Sequence, residues 1–210
     1  MSETFILAFT TFFVAIAPLD IAAIFTGLTL TETPRFRRTM AIRGVMVSTV
    51  ILMVFVLIGE FMLTSLGISL AALKISGGIL LLLIAIDMVF VRSSGGTSTT
   101  DEESHEAIER QDISVFPLAT PLIAGPGAMG AVILLMANTA GHVVSQMVVV
   151  LALLMVLLIT LILLLLANRV QELFGVIGLS VIGRVFGVIL AALAVQFVLD
   201  GIVQSGVLSR

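Results

Sequence analysis

PLATPLIAGPG, Pro117 to Gly127, places three prolines and two glycines at the start of a segment otherwise apolar enough to cross a bilayer. Proline removes a backbone donor and clashes with the preceding turn, and glycine weakens a helix, so Gly125-Pro126-Gly127 unwinds or kinks the segment. Backbone freed at membrane depth persists only where protein buries it or a watery cavity receives it. A single proline is readily explained as a packing kink. A cluster this dense points to a cavity.

The composition fixes the class in which that stretch is read. Of 210 residues, 60% are hydrophobic and 11% charged, and the mean hydropathy is +1.28. Soluble domains carry about a quarter charged residues. Six apolar stretches reach the roughly 20 residues a crossing requires: Phe5–Leu28, Gly44–Thr64, Ser69–Val91, Val115–Ala137, Val143–Ala167 and Leu179–Val203. The fold class is therefore an all-α polytopic membrane protein of six transmembrane helices, with the first and fourth spans broken. No basic residue precedes the first stretch, and its length suits a span better than a signal-peptide core, so it is expected to be retained.

Orientation follows from the short loops. Arg35, Arg37, Arg38 and Arg43 lie between the first two spans, Arg92 and Arg110 between the third and fourth, and Arg169 after the fifth, against Lys74 and Arg210 on the other side. The positive-inside rule places both termini outside. The net charge of -3 gives no reason to expect nucleic acid.

Within the first span, Pro18 is followed by Asp20, whose carboxylate at that depth must face a cavity or the bundle interior, be protonated, or sit beside a positive group. A solvated vestibule with no direct role is the plainer alternative. Residues 93–114 form the one clearly solvated stretch, a flexible acidic loop. His105 and His142 have no companions at ligand spacing, the chain has no cysteine, and neither a metal nor any other cofactor is expected. No nucleophile, base or paired-carboxylate set lies within the spans, which argues against an enzyme.

Two charge pairs fall at matching places. Glu60 ends the second span and Lys74 opens the third; Glu172 follows the fifth and Arg184 lies just inside the sixth. Each pair could close a tight turn, or all four charges could extend separately into the headgroups.

The two halves of the chain echo each other. Ile16-Ala17-Pro18 lines up with Ala124-Gly125-Pro126 at a spacing of 108 residues, Leu66–Ser69 with Ile177–Ser180 at 111, and Gly78-Ile-Leu-Leu with Gly187-Val-Ile-Leu at 109. Three spans per half make the second enter from the opposite side, an inverted 3+3 repeat. Residues 1–92 form the first repeat, 93–114 the cytoplasmic loop and 115–210 the second repeat.

PLATPLIAGPGAM at Pro117–Met129, and ISGGILLLLIAIDM at Ile75–Met88 with the GIS before it, resemble the MarC family of six-span inner-membrane proteins, related to LysE-type exporters. The resemblance implies transport of small neutral amino acids. It also implies Asp or Asn directly before the first-span proline. This chain has Ala17 there and carries Asp20 three positions later.

A secondary transporter with its site near the midplane, ion- or proton-coupled, is thus expected. The half-helix beginning near Gly127 would offer N–H groups and a positive dipole end to a carboxylate, and Asp20 would receive an ammonium or the coupling proton. The expected substrate-binding residues are Pro18, Asp20, Thr120, Gly125, Pro126, Gly127 and Asn138, with Thr10 and Thr11 nearby. The partners are a zwitterionic amino acid and the lipid bilayer, and a homo-oligomer is left open. The alternatives are a non-transporting structural or accessory membrane protein, or a channel, although the spans lack a continuous polar stripe.

Overall fold

The computed structural model describes residues 1–29, 32–90 and 113–206, and all regular structure among them is helical. The elements are α1 (Ser2–Ile16), α2 (Pro18–Leu28), α3 (Pro34–Ser65), α4 (Leu70–Phe90), a widened segment Ser114–Ile123, α5 (Pro126–Asn138), α6 (Val143–Leu165) and α7 (Ala167–Gln204). Among the described residues five stretches are long and apolar enough to cross a membrane, and the widened segment with α5, bent by 53°, makes a sixth if the bent pair is one span. The protein is a polytopic all-α membrane protein.

Both expected breaks are present. At the first, Ala17 adopts left-handed backbone (φ 51°, ψ 61°), its N–H still bonding the Phe13 carbonyl at 3.0 Å, and Pro18 opens α2. Proline suits that position, because the first N–H of a helix has no intrahelical partner and its φ is already set. In the fourth span, extended backbone at Phe116 and Thr120 interrupts the coil before each of two prolines. Its hydrogen bonds stretch to five residues, from Leu118 N–H to the Ile113 oxygen at 3.2 Å and from Ala124 N–H to the Ala119 oxygen at 2.8 Å. Extended Gly125 then precedes Pro126, the first residue of α5.

Two helices run further than hydropathy suggests. Thr33 accepts the Phe36 N–H at 3.3 Å and Pro34 follows it, so α3 begins ten positions before Gly44 and carries Arg35, Arg37, Arg38 and Arg43 on a helix instead of a loop. α7 is 38 residues long. Glu172 and Arg184 therefore lie on one continuous helix, twelve positions and about 18 Å apart, with no turn between them. The turn expected there falls at Leu166, where α6 ends. The pair cannot close a hairpin. The side chains of Glu60 and Glu172 lie outside the described residues, as do residues 93–112 of the acidic loop with His105.

The core gathers around α5, which buries Ala128, Ala131, Val132, Leu134 and Leu135 among its neighbours. α6 shows the opposite character on one side: Met147, Leu151, Leu154 and Leu158 are exposed at helical spacing, while Val149, Ala152, Leu153 and Val156 are buried. An apolar outer stripe is what lipid solvates.

α4 and α7 pack antiparallel along their lengths. A side chain at Gly78 would meet the Ala194 carbonyl at 2.7 Å and Val198 at 2.7 Å, and one at Gly187 would meet the Ala85 carbonyl at 3.2 Å and Val89 at 3.0 Å. Gly187, Ala194 and Val198 each stand 109 residues after Gly78, Ala85 and Val89. The contact is thus reciprocal, each helix lending the same glycine to the same two partner positions.

Candidate functional site

The two breaks lie against successive turns of α4. Asp20, in the first turn of α2, lines a small cavity with Phe13, Ala17, Pro18, Met88 of α4 and Phe186 of α7. One turn back along α4, Ile84 covers Gly127; a side chain at Gly127 would collide with it and would stand 4.0 Å from the Ala15 carbonyl of α1. Most of the backbone freed by the second break is therefore covered by protein: Ala124, Gly125 and Gly127 are buried while Pro126 is exposed, and a side chain at Gly125 would collide with the Pro121 carbonyl. A cavity lies beside the first break.

That cavity is apolar apart from one carboxylate. Asp20 is half-buried at the amino end of α2, where unpaired N–H groups and the helix dipole favour negative charge. Its volume is about 10 Å3, near the minimum that holds a single water. A space of that size does not admit an amino acid.

The remaining predicted residues separate into groups. Pro18 and Asp20 share the cavity, and Gly125, Pro126 and Gly127 form the neighbouring break. Thr120 donates its hydroxyl to the Val115 carbonyl at 3.3 Å within its own segment. Thr11 is buried and donates to the Leu7 carbonyl at 2.8 Å, which satisfies it inside α1. Asn138 is exposed at the far end of α5, twelve positions from Pro126 and about 18 Å along the axis. It takes no part in a site at the break. Lys74 is half-buried near the start of α4, and Arg184 is exposed.

Sequence reasoning missed Phe13, Met88 and Phe186, the walls of the cavity. Phe186 also meets Phe13 edge-on at 5.3 Å, closing a ladder in which Phe5, Phe9 and Phe13 stack at 5.8 Å intervals along α1. The four-residue spacing of those phenylalanines was visible, but an aromatic stripe in an apolar helix reads first as packing. Ser48 was also missed. Its buried hydroxyl donates to the Gly44 carbonyl at 2.8 Å and lies 3.4 Å from the Ala119 carbonyl, tying α3 to the widened segment.

The family model of MarC family integral membrane proteins matches residues 2–205. A UPF0056 membrane protein of Methanocaldococcus jannaschii is 40% identical over 200 residues, covering 95% of this chain and 96% of that protein. One from Archaeoglobus fulgidus is 35% identical over 202 residues, covering 95% and 92%. The UPF0056 inner membrane protein YhgN of Escherichia coli is 32% identical over 188 residues, covering 88% and 89%. No solved structure matches. Matched over nearly its whole length by the family model and by relatives of similar length, the chain belongs to the MarC family of integral membrane proteins.

Proposed function

We propose that the chain is a secondary transporter of small neutral amino acids, glycine- or alanine-like, in the inner membrane, coupled to a proton or another ion. The observation that carries this reading is the meeting of two broken spans on adjacent turns of α4, one with the Asp20 carboxylate on a cavity and the other with the amino end of α5 beneath Ile84, which a shift of α4 would uncover. A zwitterion matches both: the carboxylate receives its ammonium, and the N–H groups opening α5 receive its carboxylate. Discontinuous helices that present such ends near the midplane are a recurrent transporter design.

A cavity this small requires movement before substrate enters. Met88 of α4 and Phe186 of α7 line the cavity with Asp20, so α4 and α7 would shift relative to the first break. The reciprocal glycine contact at a spacing of 109 residues supports an inverted 3+3 repeat, whose halves can rock about their shared crossing to open each side in turn. The four arginines near the start of α3 and Arg169 near the start of α7 support a cytoplasmic position for those ends and outward termini. The reading assigns the chain no catalytic step.

A structural or accessory role is the second reading, favoured by the 10 Å3 volume at Asp20. Counterflow separates the two. Proteoliposomes loaded with unlabelled alanine should transiently concentrate labelled alanine, and Asp20→Asn should abolish this without changing insertion. Wild-type counterflow in Asp20→Asn would remove the carboxylate from the mechanism. No counterflow of glycine, alanine or serine by the wild type would favour the structural role, and equilibration without overshoot would mark a channel.

A further inference from the structure

The start of α3 and the junction of α6 with α7 enclose a second cleft of about 700 Å3, at the end of α3 away from residues 66–69. Three arginines line it, Arg37 and Arg38 on α3 and Arg169 on α7, against one acidic residue, Glu32. The helices that supply them are far apart in sequence, so the convergence belongs to the fold and not to a local basic run. Arg37 is half-buried, with its guanidinium 5.9 Å over the ring of fully buried Phe25. That cation–π contact holds it in place. The same cleft is walled by Leu165 and Leu166, 45% and 49% exposed at the end of a membrane span.

We propose that this cleft binds the phosphate headgroup of an anionic phospholipid, whose acyl chains leave along Leu165 and Leu166. Guanidinium groups match phosphate oxygens in paired hydrogen bonds and are weakly hydrated. A basic pocket between spans at the membrane surface adds specific contacts to the general attraction of the anionic leaflet. The excess of arginine over carboxylate supplies the charge, and the exposed leucines distinguish a lipid from a soluble phosphate, which has no use for them. The cleft shares no lining residue with the Asp20 cavity, so the proposal is independent of the transport reading.

Native mass spectrometry of the detergent-purified full chain, titrated with phosphatidylglycerol or phosphatidylcholine, tests it. Phosphatidylglycerol should bind in preference. Removing one arginine from such a site corresponds to roughly a fivefold loss of affinity, expected for Arg38→Gln, Arg169→Gln and Arg37→Gln. Arg169 is exposed, so its variant remains readable should Arg37→Gln fail to fold. Arg35→Gln, in the same basic stretch but outside the cleft lining, should bind like the wild type. Equal loss in Arg35→Gln would reveal diffuse charge attraction, and displacement of the lipid by inorganic phosphate would reveal a soluble-anion site. Either result overturns the proposal, as would equal binding of phosphatidylcholine.

Discussion

At the scale of single residues, the first break depends on Ala17. It is the one non-glycine residue with positive φ among those described. Left-handed backbone places Cβ against the following carbonyl oxygen and costs an L-residue roughly 1–2 kcal/mol, which glycine escapes. Ala17→Gly is therefore expected to stabilise the detergent-solubilised protein by about 0.5–1 kcal/mol, after glycine's larger chain entropy is allowed for. Differential scanning fluorimetry checks this, and a lowered midpoint would mean that the turn is not strained. Pro18 and Asp20 were legible in the sequence because a proline and a carboxylate contrast with apolar surroundings. Met88 and Phe186 were not, since nothing in an apolar run marks which residue faces a cavity. Asn138 shows the converse. Its polarity drew attention, but polarity carries no depth, and α5 takes it to the far end of the span.

At the scale of elements, helices are set by backbone hydrogen bonds and do not stop where hydropathy falls. Arg, Glu, Gln and Leu all favour helix. α3 and α7 therefore continue beyond the apolar stretches on which their bounds were read, and Glu172 and Arg184 share one helix. The breaks were easier to place because proline and glycine act locally, whatever surrounds them. Packing between elements supplies a sharper test of the repeat. Leucine at Gly78 or Gly187 would overfill a crossing in which a lone Cβ already meets partner backbone at 2.7 or 3.2 Å. Each substitution is expected to destabilise by about 1–3 kcal/mol, and by similar amounts, because the same two positions meet each glycine. A large loss at one with none at the other, measured as the midpoint of thermal unfolding, would contradict a reciprocal crossing. Leucine at Gly125 or Gly127 is a poor probe of substrate contact, since it would strike Pro121 or Ile84 of the protein itself.

At the scale of the whole molecule, the class, the crossings and both breaks followed from composition and punctuation. The opposite walls of the Asp20 cavity did not, because they come from α1, α4 and α7, and no local pattern records that meeting. Orientation rests on arginine placement. Reporter fusions after Arg210 should lie outside and fusions within Ser93–Ser114 inside; a cytoplasmic carboxyl terminus would undo the inverted arrangement. The central claim is that the cavity at the first break opens to each side in turn. The chain has no native cysteine, so Leu19→Cys gives a single thiol on the cavity lining. The decisive measurement is its rate of modification by a membrane-impermeant maleimide added to one face or the other of oriented proteoliposomes, with and without saturating alanine. Alternating access predicts reaction from both faces, with alanine shifting the two rates in opposite directions. Reaction from one face only, or from neither, with rates indifferent to alanine, would contradict it.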